Sequence, residues 1–260
     1  MPSSPYQKQL DELLKKLASA QTDVRVKPEH DKEDKYKHDK VFKSEHDKVA
    51  KHEHDKLASS KSAANLKPRL LLHACCGPCS SYVLEYLAQY FEITVFYYNP
   101  NIYPQEEYYR RLNELKAFYT RFAPAANVNV VEEAYTPEDF YNAIQIHEHP
   151  ERASEPEKGE RCRLCYKFRL QKAYEYAAAH NYDYYCTTLS ISPFKDAEKI
   201  NTLGTEIAIN QKVTSDQEVS PLWLPSDFKK HGGFQRSLEL STEYGLYRQQ
   251  YCGCIYSSRN

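Results

Sequence analysis

The chain has no long apolar run. Nothing in its 260 residues approaches the roughly 18 consecutive apolar residues of a membrane span, and Met1 to Ala20 lacks the apolar core of a secretory signal. We therefore expect a protein without membrane contact that works in the cytoplasm. Net charge is missing too. Lys and Arg number 35 against 36 Asp and Glu, a formal charge of -1. That excludes a broadly basic surface, so any contact with RNA has to be local, built from clustered Arg and Lys. What the chain has in abundance is sulfur and phenol, with 8 Cys and 23 Tyr. In a reducing compartment clustered cysteines bind metal or do redox work more often than they form structural disulfides.

Three regions follow from composition. In residues 1–21, Leu10, Leu13, Leu14 and Leu17 fall at i, i+3, i+4 and i+7, the stripe of an amphipathic helix packed on a domain. Residues 22–66 repeat every eight positions as His30-Asp31-Lys32, His38-Asp39-Lys40, His46-Asp47-Lys48 and His54-Asp55-Lys56. Eight residues turn a helix by about 800°, leaving about 80° of drift per repeat, so these histidines share no face. Balanced charge and little apolar content cannot offset the entropy of ordering. This stretch reads as a disordered charged insert, with metal capture by its histidines as the alternative. Residues 67–260 are expected to form a catalytic α/β domain.

That domain opens on Leu70-Leu71-Leu72-His73-Ala74-Cys75-Cys76-Gly77-Pro78-Cys79. A short apolar run stopped by Gly-Pro reads as a buried strand, a tight turn and a helix start. The turn sets three sulfurs at the carboxyl end of a strand, the edge where open α/β sheets bind ligands. Further strands are expected at 92–98, 128–131 and 183–188. Helices are expected over 80–90, from Gln105 to about Phe122, after Thr136 with Pro137 at its first position, after Cys165 to His180, from near Asp196, and over 237–244. Strands alternating with helices imply a parallel, doubly wound sheet.

Seven of the eight cysteines form three groups: Cys75, Cys76 and Cys79; Cys162 and Cys165; Cys252 and Cys254. Each spacing lets neighbouring thiolates meet one metal, and folding can bring the groups together. Cys186, alone in an apolar strand, reads as a small buried hydrophobe. A single structural zinc needs four ligands and leaves three thiols unused. Disulfides fit neither the compartment nor the odd total. Cys76-Gly77-Pro78-Cys79 also matches the tetrapeptide of thioredoxin-like proteins, which supports a thiol-disulfide oxidoreductase as one alternative, but that reading ignores five other thiols. A zinc-stabilised RNA-binding module is another. An iron–sulfur cluster on four thiolates, with three left to hold an adjacent mononuclear metal or to tune the cluster, accounts for all seven.

Five ordered segments resemble the cobalamin-independent epoxyqueuosine reductases of the QueH type: Leu71 to Cys79; Tyr98-Asn99-Pro100-Asn101-Ile102-Tyr103-Pro104 with Glu107, Tyr108 and Arg111; Arg161-Cys162 with Cys165; Thr187-Thr188-Leu189 with Ser192, Pro193 and Lys195; and Tyr251-Cys252-Gly253-Cys254. The resemblance implies a Rossmann-like fold similar to ATP-pyrophosphatase domains, with helices on both faces of a parallel sheet. It also implies reduction of epoxyqueuosine to queuosine at the wobble position of tRNA, the last step of queuosine biosynthesis, with a [4Fe-4S] cluster and a nearby mononuclear iron. Carried over residue by residue, Cys76, Cys162, Cys165 and one of Cys252 and Cys254 would ligate the cluster, while Cys75 and Cys79 would hold the iron. The octapeptide insert departs from the family.

Opening an epoxide to an alkene with loss of water takes two electrons and two protons. An external electron donor such as ferredoxin or flavodoxin is expected. His73 and Lys195 are candidate proton donors, each also readable as structural. Splayed bases stack on aromatic or Arg planes, which makes Tyr97, Tyr98, Tyr103, Tyr108, Arg110 and Arg111 candidates for tRNA contact, with Asn99, Asn101 and Arg161 in the same motifs. Arg161, Arg163, Lys167 and Arg169 form a second basic group suited to phosphate.

Overall fold

The structure, a computed structural model, describes residues 4–23, 67–214 and 220–257. Five strands, β1 (Arg69–His73), β2 (Glu92–Tyr97), β3 (Asn129–Glu132), β4 (Tyr184–Thr187) and β5 (Leu222–Trp223), form one parallel sheet in the order β3-β2-β1-β4-β5. β1 is central because it is apolar on both faces: Leu70, Leu71 and Leu72 are fully buried, as a strand covered by helices on either side requires. Chain order reverses between β1 and β4, and the carboxyl ends of those two strands flank the crevice that doubly wound sheets use for ligands.

The helices are α1 (Pro5–Asp23), α2 (Gly77–Leu87), α3 (Gln105–Tyr119), α4 (Pro137–Ala143), α5 (Glu160–Ala179), α6 (Ala197–Thr214) and α7 (Gly233–Glu243). The expected stripe of α1 is buried at all four leucines. Asp11 ties it down, accepting from Tyr86 Oη on α2 at 2.9 Å and lying 3.3 Å from His231 Nε2. The octapeptide insert lies outside the described residues, except that α1 runs on through positions 22 and 23. Among the described residues no helix is long and apolar enough to cross a membrane.

Two elements differ from the sequence reading. β5 was not expected: two residues carry no periodicity, and it is packing that makes them a strand. Trp223 stacks edge-on against Tyr185 of β4 at 5.0 Å and fills the space left by Gly204, where a Cβ would meet its ring at 2.2 Å. The pair Cys162 and Cys165 was expected ahead of a helix but lies inside the first turns of α5. There Arg161, Cys165, Arg169, Ala173 and Ala177 fall on one buried face.

Candidate metal centre

β1 ends at His73, and the chain turns through Cys75 and Cys76 into α2, whose first turn carries Pro78 and Cys79. The sulfurs of Cys75, Cys76 and Cys79 all lie within 4.8 Å of one another, with Cys75 Sγ 3.9 Å from Cys76 Sγ. Burial makes this group hold little charge. Cys75 is drawn well below the ordinary thiol range by its hydrogen bonding with Cys76 and Cys79, with Arg169 and Arg111 adding to the effect. Cys76 and Cys79 are pushed up in return, chiefly by the same contacts with Cys75. The three thiols thus do not ionise independently, and a cation binding there must displace their protons.

The second and third groups close the site from α5 and from residues 251–254. The later segment is clasped to the loop after β2. Tyr103 N donates to Gly253 O at 2.8 Å, Tyr251 Oη donates to Tyr103 O at 2.9 Å, and Arg111 Nη1 donates to Cys252 O at 3.2 Å. Gly253 has φ 105°, and a Cβ there would stand 2.8 Å from Arg111 Nη1. Cys254 packs with Cys165 against Phe140 and Ile144. Burial raises Cys165 to about 11 and Cys254 to about 12, and raises Cys162 as well. Cys252 behaves differently: burial pushes it up, but Lys195, whose Nζ is 2.6 Å from its sulfur, pulls it below the usual range. Cys252 and Cys75 line the same cleft, so the groups adjoin there. Cys186 lies in β4, fully buried and raised by burial alone.

Five cations surround the thiols. Arg111 acts on Cys76 and Cys75, Arg169 on Cys165, Cys75 and Cys252, Lys195 on Cys252 and Cys162, Arg248 on Cys79, and Arg161 on Cys162 and Cys254. Arg111 has its own carboxylate, Glu107 at 2.6 Å, yet its Nη2 is buried without a protein partner, as is Asn101 Oδ1. Cys75, Cys76 and Cys79 form one close group, Cys252 shares their cleft and Cys165 packs with Cys254; with buried positive charge beside them, these donors fit a thiolate-bound, negatively charged metal group.

The remaining expected residues fall into place around this centre. His73 is fully buried, with Nδ1 2.8 Å from Thr187 Oγ1 and Nε2 3.3 Å from Arg169 Nε. Burial, then Arg169, lowers its pKa to about 3, so it is neutral. Tyr98, Asn99, Asn101, Tyr108, Arg111 and Arg161 are all buried. Tyr98 Oη donates to Asp139, Asn99 Nδ2 to Ala74 O, Tyr108 Oη to Glu133 O, and Arg161 Nη1 to Ala153 O. Asn99 thereby braces the turn that carries Cys75 and Cys76, and the others tie the surrounding elements together. In the second basic group, Arg161 and Arg169 are interior and Arg163 pairs with Glu160 at 2.6 Å. The interior placement follows from their spacing of eight on the face of α5 that also holds Cys165.

A cleft opens beside the thiols, lined by Cys75, Cys79, Cys252 and Lys195 and bounded by Phe194, Arg248 and Gln249. Phe194 is 63% exposed at its rim. It was absent from the expected RNA contacts, although its position between Pro193 and Lys195 was the available signal. Cys76, as a thioredoxin-type nucleophile, would need a depressed pKa and access; it is buried and raised.

Residues 70–260 match the family model described as epoxyqueuosine reductase QueH. The chain is 41% identical over 197 residues to epoxyqueuosine reductase QueH of Streptococcus pyogenes serotype M1, covering 75% of this chain and 72% of that one. It is 40% identical over 195 residues to the protein of the same name from Staphylococcus aureus (74% and 77% covered), and 36% identical over 193 residues to that of Haemophilus influenzae (74% and 72%).

Proposed function

This chain belongs to the epoxyqueuosine reductase QueH family, and we propose that its seven clustered thiols hold the iron–sulfur centre with which it reduces epoxyqueuosine in tRNA to queuosine. Cys76, Cys162, Cys165 and Cys254 are assigned to a [4Fe-4S] cluster. Cys75, Cys79 and Cys252 are assigned to a mononuclear iron. The packing of Cys254 with Cys165, and the exposure of Cys252 to Cys75 and the cleft, support this division of the last pair. Bound there, such a centre supplies single electrons and a Lewis-acidic site for an epoxide oxygen.

The chain's own residues do the rest. Lys195 is kept protonated by the charge of Cys252 against the opposing effect of burial. It holds a proton at the cleft, where the epoxide oxygen must leave as water. His73, neutral and bonded on both nitrogens, fixes the ends of β1 and β4. Phe194 offers a face for an unstacked base. Arg111 and Asn99 hold the walls. Two electrons and two protons convert each epoxide to an alkene and water, so an external one-electron carrier such as ferredoxin or flavodoxin is needed. We place the reaction in the cytoplasm, with its tRNA substrate.

The observation that carries this reading is the meeting of three sequence-distant thiol groups beside buried cations. Its test is anaerobic purification. The protein should contain iron and sulfide, bleach with dithionite and convert epoxyqueuosine in tRNA from a strain lacking the activity. Cys162→Ala should lose the cluster, whereas Cys186→Ala should keep it. A colourless protein holding only zinc would refute the iron assignment.

A further inference from the structure

Arg169 lies in the third turn of α5 and is only 2% exposed. Its Nε donates to His73 Nε2 at 3.3 Å and its Nη2 to Asn99 Oδ1. Both acceptors are neutral. Asn99 is locked in that orientation because its own Nδ2 donates to Ala74 O at 2.9 Å, which turns Oδ1 toward the guanidinium. An aspartate at this position would neutralise Arg169, but an asparagine only orients it. A guanidinium cannot release its proton in a protein. Burying such a charge without a counter-ion is unfavourable by several kcal/mol on general grounds.

The groups Arg169 does act on are sulfurs: Cys165, Cys75 and Cys252, one from each of the three cysteine groups. The other cations differ. Arg111 is paired with Glu107, Arg248 donates to Ser237 O and Ser241 Oγ, Arg161 donates to Arg152 O and Ala153 O and acts on Cys162 and Cys254, and Lys195 hydrogen-bonds Cys252 in the cleft and acts on Cys162. Arg169 is thus a charge fixed by its neighbours, shielded from solvent and facing every part of the thiol set.

We infer that Arg169 is the fixed counter-charge of the metal centre, a positioning residue that contacts no substrate and raises the centre's reduction potential. Reduction adds negative charge to a thiolate-bound group, and a permanent cation nearby in a low-dielectric interior favours the reduced form. Asn99 serves this role by holding the guanidinium without neutralising it. The inference rests on the reading that these thiols bind iron and sulfide.

The test is a potentiometric titration of the loaded protein, followed by electron paramagnetic resonance. Arg169→Met should take up iron and sulfide as the wild type does and show a midpoint shifted to more negative potential. Arg169→Lys, which keeps the charge, should lie nearer the wild type. Asn99→Asp leaves the arginine in place and pairs it with a carboxylate, so it should shift the midpoint in the same direction as Arg169→Met. It decides the matter if the methionine variant does not fold. Equal midpoints in loaded wild type, Arg169→Met and Asn99→Asp would overturn the role of Arg169 and leave the metal assignment standing, as would an equal shift in the lysine and methionine variants. A wild-type protein that takes up no iron would overturn both.

Discussion

Lys195 Nζ stands 2.6 Å from Cys252 Sγ, joining the loop after β4 to the segment that follows α7. Each group favours the charged form of the other: Cys252 is lowered and Lys195 raised, both against the push of burial. Replacing Lys195 by Met should remove the proton held at the cleft. A positioned proton donor typically contributes about 10² to 10⁴ in rate. We therefore expect a fall of about a hundredfold in single-turnover conversion, with iron content close to wild type. Lys195→Arg should recover part of the rate.

Gly253 adopts φ 105°, and its missing Cβ leaves room for Arg111 Nη1 at 2.8 Å and Ile102 Cγ1 at 3.0 Å. Gly253→Ala should cost about 1–3 kcal/mol from backbone strain alone. It should also push Arg111 away and move Cys252 and Cys254 on either side. Iron per chain should fall sharply while the circular dichroism of the α/β domain is retained, which separates the effect from global unfolding.

Phe194 projects at the mouth of the cleft, and among the described residues no ring is stacked on it. A base–aromatic stack is worth about 1–3 kcal/mol. Phe194→Ala should therefore raise the KM for tRNA by about 5- to 150-fold and leave iron content and the midpoint potential unchanged, and Phe194→Trp should restore binding. An unchanged KM would remove Phe194 from the substrate surface.

His73 predicts an acid sensitivity in the metal-free protein. Its pKa is about 3 in the fold, lowered by burial and then by Arg169, against roughly 6.5 in an unfolded chain. Between these values the unfolded chain binds a proton that the folded one does not. The contribution to stability is complete above pH 6.5 and declines as pH falls toward 3, by at most about 1.4 kcal/mol per pH unit. Denaturant unfolding across this window should show a slope steeper by about one proton in wild type than in His73→Gln.

Much of this was visible in the sequence because the signals were local. The Leu70 to Leu72 run, the Gly77-Pro78 break and Pro137 after Thr136 each act within a few residues, and each marks a real boundary. Cysteine spacing likewise revealed three groups before any fold was known. Burial was harder to read. Tyr98, Tyr108 and Arg111 have the chemistry of RNA contacts, but whether such a side chain faces solvent depends on partners such as Asp139, Glu133 and Glu107, which the chain brings up from other elements or from the next helical turn. Arg169 was legible in principle: it falls four residues after Cys165 and four before Ala173, on the apolar face of its helix. A charged residue in that phase is a sign of a buried counter-charge rather than of a solvated surface.

The clasp between Tyr251 and Tyr103 joins residues 148 positions apart. Its consequence lies in the order of synthesis. When the three cysteines after β1 leave the ribosome, and again when α5 follows, the residues that close the centre have yet to be made. A metal arriving at that stage would meet an incomplete set of thiols. The segment that carries Cys252 and Cys254 reaches the earlier thiols through contacts that span more than half the chain.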